Sequence, residues 1–319
     1  MSAALVIGGA GFIGSHLVQR LLAGGGGRVT VFDNFSSGRE WHLQPVADEP
    51  RLRVVRGDAK DLDALARAAA GHETAFLLAS NPDIARAATE PTLDFWEGTY
   101  LVQNTVEACR VAGVSTLVYA SGSGVYGDQG ALELDESFGP LLPVSTYGAG
   151  KLAGEALICA YCHLFGLRGV AFRFANVVGP RQTHGVVYDF VRKLLAEPSR
   201  LEVLGDGRQS KSYIHVDDVL DAMLLLATDP PEPFDVFNAA TDDHVTVREI
   251  ADLVVEAMGL DEVELVFGQT AGGWKGDVPV VRLSTERIRS LGWRASMNSR
   301  QALRDSMMAM LSDFKAGRS

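Results

Sequence analysis

The chain reads as an α/β protein: a doubly wound parallel sheet followed by a smaller mixed α/β lobe. Three observations predict this. Short β-rich apolar runs alternate with longer runs at helical spacing through the first half, a glycine-rich turn joins the first such strand to the first such helix, and after about Pro180 the elements become shorter. Strands that alternate with helices pair in parallel and are covered on both faces.

Taken in order, strands are expected at 4–7, 29–32, 52–55, 74–78, 116–120 and 169–174, each a short run rich in Val, Ile, Leu, Thr, Phe or Tyr. Helices are expected at 12–23, 62–70, 95–112 and 147–165, where apolar residues recur three and four apart, as in Leu17, Val18, Leu21 and Leu22. Gly24 to Gly27 joins the first helix to the second strand. Beyond Pro180 come helices near 188–195, 216–227, 245–258 and 301–314 and a strand near 201–203. We therefore expect two closely packed lobes, 1–180 and 181–319, with segments such as 213–240 returning to the first and a cleft between them.

The 319 residues carry 29 Lys and Arg against 40 Asp and Glu, a net charge of −11 that repels nucleic-acid phosphates and anionic membrane surfaces. Three cysteines cannot build a disulfide framework, which points to a reducing, cytoplasmic setting. No run of about 18 apolar residues is present for a membrane helix, and Met1 to Ile7 lacks a basic, apolar leader.

Gly8, Gly11 and Gly14 follow the first strand and, with Phe12 and Ile13, open the first helix. This spacing permits a tight turn, close approach of backbone to a pyrophosphate and close helix packing, with phosphates at the positive helix end. Asp33 ends the second strand 19 residues beyond Gly14, where a carboxylate accepts from a ribose 2′-hydroxyl and repels a 2′-phosphate. The cofactor expected is NAD rather than NADP. Asp58, after the third strand, is a weaker candidate for the adenine side, since Gly57-Asp58 is also a plain turn signal.

Tyr147 and Lys151 stand four apart on one predicted helix, so they share a face. An ammonium beside a phenol favours phenolate, which makes a usable acid/base pair. Cys159, Cys162 and His163 match a haem-attachment and redox spacing, but they fall three turns inside that helix, and a paired-ligand motif for zinc is missing. No metal is expected.

Gly8 to His16, Asp33 to Gly38 (with Asn34, Ser37 and Gly38), Gly57-Asp58, Val125-Tyr126-Gly127, Tyr147 with Lys151, Arg173 to Pro180, Gly205 to Gly207, Tyr213 to Asp218 and Gly276-Asp277 occur in one order along the chain. In this the sequence resembles the extended short-chain dehydrogenases/reductases, Rossmann-like enzymes, and within them the nucleotide-sugar epimerases and dehydratases. The stretch from Ala175 to Phe190 is most similar to the bacterial and archaeal UDP-hexose 4-epimerase branch.

The resemblance implies that Tyr147 deprotonates a sugar hydroxyl while the nicotinamide takes hydride from the same carbon, with Lys151 holding the nicotinamide ribose and lowering the tyrosine pKa. It also implies that Asn176, His184, Lys211 and Asp277 hold a UDP-sugar, that Asn34, Ser37 and Gly38 line the cofactor, and that the protein is a homodimer through the helices near Phe95 and Tyr147. Three positions depart from the family pattern. The usual catalytic Ser or Thr is Gly122, a cofactor-contacting Asn is Gly98, and the Thr before Gly8 is Ile7. Ser123, and after it Ser121, are the expected substitutes. A dehydratase or decarboxylase acting through the same 4-keto intermediate, and a weakly active NAD-binding sensor, remain open, although Ser123-Gly124 stands where dehydratases commonly carry Asp-Glu.

Overall fold

The computed structural model describes residues 3–318; Met1 and Ser2, with which the N-terminal stretch read above begins, lie outside. The described residues form two compact units: a first made of the chain up to Val125 with Thr146–Arg173 and Leu220–Phe237, and a second made of Tyr126–Ser145, Phe174–Val219 and the chain from Asn238. A single cut near residue 180 does not describe them. The units exchange segments because a late strand belongs to the sheet of the first.

That sheet has seven strands: β1 (Ala3–Ile7), β2 (Arg28–Asp33), β3 (Leu52–Arg56), β4 (Thr74–Leu77), β5 (Thr116–Ala120), β6 (Arg168–Phe174) and β7 (Phe234–Ala239). Their order is β7-β6-β5-β4-β1-β2-β3, with parallel pairing on both sides of β1. The chain winds outward from β1 to β3, then returns to β4 on the other side, so the winding reverses beside β1. In open parallel sheets, ligands bind beyond the carboxyl ends of the strands at such a reversal. Gly8 follows β1 there.

Helices α1 (Phe12–Ala23), α2 (Leu62–Ala69), α3 (Leu101–Ala112) and α4 (Thr146–Phe165) accompany the sheet. Leu5, Ile7, Leu77, Leu117 and Tyr119 of the strands pack with Leu65 of α2, Val106 of α3 and Ile158 of α4, each nearly solvent-free. The expected helix at 95–112 is regular only from Leu101, because Phe95–Tyr100 is wound as a π-helix. Such wide turns are uncommon and often mark functional places.

The second unit is built of short elements, as its sequence rhythm implies. Val186–Ala196, Val247–Met258 and Ser299–Lys315 pack on a separate core that includes Phe190, Leu201, Ile250 and Met307. A Thr246–Glu249 capping box starts the second of these helices, and Asn298 with Gln301 starts the third. Among the described residues no helix is long and apolar enough to cross a membrane.

Candidate active site

The turn after β1 is shaped by glycines in two different ways. Gly8 has φ +84°, and a Cβ there would come within 2.6 Å of the Ala79 nitrogen. A Cβ on Gly14 would strike the Gly8 carbonyl oxygen, so the first turn of α1 lies directly on the loop. Gly11 caps α1 without a side-chain acceptor, leaving the first-turn N–H groups, those of Phe12, Ile13 and Gly14, directed beyond the helix end.

Asp33 ends β2 and is 8% exposed. Its two carboxylate oxygens accept from the N–H of Ala10 at 2.9 Å and of Phe35 at 2.7 Å. Burial raises its pKa against those two bonds. Each oxygen retains a further lone pair for a ribose hydroxyl. His42 reinforces the same loop through a ring nitrogen 2.8 Å from the Ala10 carbonyl. Gly38 sits where a Cβ would press on Ala10 and on Asp33 Oδ1, and Ser37 gives its carbonyl to Arg39. Asn34 bonds the side chain of Asp58, linking the ends of β2 and β3. Against burial, hydrogen bonds from Lys60 hold the Asp58 carboxyl below its ordinary range.

Tyr147 and Lys151 lie on the first turns of α4. The Lys151 side chain is buried and donates to the Ala120 carbonyl at 2.7 Å, with its nitrogen 5.4 Å from the centre of the Tyr147 ring and 5.1 Å from that of Tyr119. Burial pulls the Lys151 ammonium down to about 8, opposed by the charges of Glu155 and Asp94. Burial likewise pushes the Tyr147 phenol up to about 12, against a hydrogen bond with Ser80 that lowers it, while the Asp94 charge adds to the rise. The expectation of a lowered phenol is therefore reversed in this structure: both groups lose hydration, and the ammonium is engaged with a backbone carbonyl.

The two serines expected near Tyr147 differ. Ser121 is buried and donates at 2.5 Å to Glu155, which is itself paired with Arg173 at 2.7 Å. Ser123 begins a short 3-10 turn, Ser123–Tyr126. A Cβ at Gly122 would meet nothing within 4 Å beyond its chain neighbours, and one at Gly98 only the Gly150 backbone. Tyr126 is fully buried, its hydroxyl bonded to the Asp135 carbonyl and to Asn238, as suits a supporting group.

Sequence reasoning missed a polar cluster beside Tyr147. Asp94, 2% exposed, accepts from Asn81 at 2.9 Å and from Thr146 at 2.7 Å. No local motif announces it, since its members are 13 and 52 residues apart.

In the second unit, Lys211 and Asp277 form a 2.7 Å ion pair in which the Asp277 side chain is only 4% exposed, and the Lys211 ammonium lies 5.5 Å from the centre of the Trp274 ring. Asn176 begins a three-residue strand paired with Tyr213–His215 and bonds the Tyr213 hydroxyl. His184 is exposed in the segment before Val186–Ala196. Cys162 is buried in α4, while Cys159 and His163 share one of its turns. Among the described residues no group of three His, Cys, Asp or Glu side chains could hold a metal ion.

Comparison with known proteins adds an independent line. A family model described as the NAD dependent epimerase/dehydratase family matches residues 4–240. The UDP-glucose 4-epimerase of Mycolicibacterium smegmatis is 36% identical over 298 residues, covering 91% of this chain and 92% of that protein. The Thermus thermophilus UDP-glucose 4-epimerase solved with NAD superposes with a TM-score of 0.86 at 31% identity, over 97% of this chain and 99% of the other. A dTDP-glucose 4,6-dehydratase of Streptomyces venezuelae, also solved with NAD, superposes at 0.90 with 28% identity over 99% of both chains. A glycine turn at the reversal of a parallel sheet, a half-buried Tyr and a buried Lys on one helix and a family match over residues 4–240 agree: the chain belongs to the NAD dependent epimerase/dehydratase family.

Proposed function

We propose that this protein is a NAD-dependent nucleotide-sugar epimerase that inverts C4 of a UDP-hexose through a transient 4-keto sugar. The observation that carries this reading is the pairing on α4 of a half-buried Tyr147 with a buried Lys151, in the same unit as the glycine turn and Asp33. When bound, NAD supplies the acceptor for the sugar hydride and returns that hydride afterwards. The N–H groups of the first turn of α1 receive its pyrophosphate, and Asp33 takes the adenosine ribose. The donor set fits: a 2′-phosphate beside the Asp33 carboxylate would meet like charge.

Tyr147 holds and returns the proton of the sugar 4-hydroxyl, and Lys151 orients the nicotinamide ribose. Asn176 contacts the diphospho-sugar, Lys211 holds the diphosphate as a point charge and not as the planar fork of an Arg, and Asp277 accepts from the nucleotide ribose. His184 is a further candidate on the sugar side.

The likeness to dTDP-glucose 4,6-dehydratases favours a second reading, elimination of water from the same keto intermediate. Ser123-Gly124 offers neither the acid nor the base that elimination needs, which favours epimerisation. A C4-deuterated UDP-glucose followed by NMR tests this: epimerisation keeps the label at C4 with no net reduced cofactor. A deoxy-keto sugar moves the assignment to the dehydratase, and loss of carbon dioxide when UDP-glucuronic acid is supplied in its place moves it to a decarboxylase. In the same assay Tyr147→Phe loses at least about 100-fold in turnover while still binding NAD.

We further propose a homodimer. Phe95 (50% exposed), Trp96 (47%), Leu164 (72%) and Phe165 (53%) leave the π-helical turn and the end of α4 apolar and open. Light scattering that gives a monomer mass at micromolar concentration removes this.

A further inference from the structure

Gly122 leaves Tyr147 without a hydroxyl at the place where the family pattern supplies one, and a Cβ there would meet nothing within 4 Å beyond its chain neighbours. Ser121 is committed to Glu155. The structure supplies a hydroxyl from a different segment, the loop after β4. β4 ends at Leu77, and the next two residues, Leu78 and Ala79, donate to the Ile7 carbonyl at 2.9 and 3.0 Å, which fixes the path of the chain into Ser80.

Asn81 follows Ser80, and Thr146 precedes Tyr147. The two oxygens of one buried carboxylate, Asp94, accept from both of them. This clamp draws the loop after β4 and the start of α4 together and so brings Ser80, the neighbour of Asn81, beside Tyr147, the neighbour of Thr146, where the Ser80 hydroxyl acts to lower the phenol pKa.

We propose that Ser80 is a positioning residue for Tyr147, giving its reacting oxygen the hydroxyl contact that Gly122 does not provide. The proposal rests on the reading of Tyr147 as the acid/base group. While the oxygen is charged, the Ser80 O–H donates to it. When the sugar O–H bond breaks and its proton moves to Tyr147, the Ser80 hydroxyl turns and accepts from the neutral phenol. Ser80 neither gains nor loses a proton over the cycle. The other groups that act on this phenol are Asp94 before the π-helical turn and Lys151 on α4, with Tyr119 of β5 beyond Lys151.

The contact and its consequence are measured separately. In the cofactor-free protein with isotope-labelled tyrosine, the NMR signal of Tyr147, identified by its absence in Tyr147→Phe, shifts in Ser80→Ala and stays in place in Ser121→Ala and Ser123→Ala. In turnover, Ser80→Ala moves the limb of the pH profile that reports the base upward by about one unit and lowers the neutral-pH rate about tenfold. Ser80→Thr keeps the wild-type limb. Gly122→Ser, added to Ser80→Ala, recovers part of the rate. An unshifted signal, an unmoved limb, or the same limb shift produced by Ser121→Ala or Ser123→Ala overturns the proposal. Wild-type turnover in Tyr147→Phe overturns the reading beneath it instead, and that result is seen without touching Ser80.

Discussion

The two units arrange their candidate ligand-binding polar groups on different principles. In the first, Asp33 is held by the N–H groups of Ala10 and Phe35, and Lys151 by the Ala120 carbonyl. Their side chains are oriented by main chain that the sheet already fixes. In the second, the Gly273 N–H holds one Asp277 oxygen at 2.9 Å, but Lys211 is held through the other oxygen, by a side-chain ion pair. Backbone anchoring fixes a side chain before any ligand arrives, whereas a side-chain ion pair must open or be shared when a diphosphate approaches. The first arrangement suits a tightly held cofactor, and the second a substrate that enters and leaves.

Replacing Lys151 breaks the first arrangement most severely. With its ammonium held near 8 instead of the ordinary 10.5, Lys151 carries a burial cost of about 3 kcal/mol. The folded-state pKa is the lower one, so this cost is complete below pH 8 and is relieved as pH rises from about 8 toward 10.5. Lys151→Met is expected to abolish turnover yet raise the melting temperature of the cofactor-free protein by about 2 °C or more at pH 7, a gain that vanishes at alkaline pH. Calorimetric scans at the two pH values check this.

Asp33→Ala has the next largest effect. Because its oxygens satisfy two loop N–H groups, the variant loses NAD affinity as well as discrimination against NADP, by about tenfold each. Titration calorimetry that finds discrimination lost and affinity intact would show that the loop does not depend on the carboxylate.

The ion pair of the second unit responds differently. Lys211→Ala leaves a carboxylate that is 4% exposed without its counter-charge, with the Gly273 N–H still bonded to it, so it costs more stability than the double variant Lys211→Ala/Asp277→Ala. A thermal-melt cycle gives a coupling of about 1–3 kcal/mol. Both single variants raise the KM for the nucleotide sugar more than they change kcat. Smallest of all is Gly122→Ser in the wild-type background. With nothing within 4 Å of the added Cβ, its effect on stability stays within about 0.5 kcal/mol.

The first unit was the more legible half because its signals are local. β1, the glycine turn and α1 occupy residues 3–23 without a break, and Asp33 lies at the end of the very next strand. Tyr147 and Lys151 were visible through a spacing of four. The Asp94 clamp was not, because Asn81, Asp94 and Thr146 meet only after β4, the π-helical turn and α4 have assembled. The raised Tyr147 phenol was missed for a related reason: spacing reports which charge is near, while burial, the larger influence here, depends on the whole fold. β7 escaped notice as a six-residue run after a proline-rich stretch, with nothing local to name β6 as its partner.

That seventh strand has a consequence for the order in which the protein is made. The other six strands have left the ribosome by Phe174, but β7 arrives only with Phe234–Ala239. Over the stretch 175–233 between them, the outer edge of β6 presents unpaired N–H and C=O groups along a strand whose side chains from Gly169 to Phe174 are already suited to burial. An uncovered apolar edge of this kind pairs readily with another chain. A chain halted or cut at residue 180 would therefore carry a permanently open sheet edge, and its expected fate is aggregation.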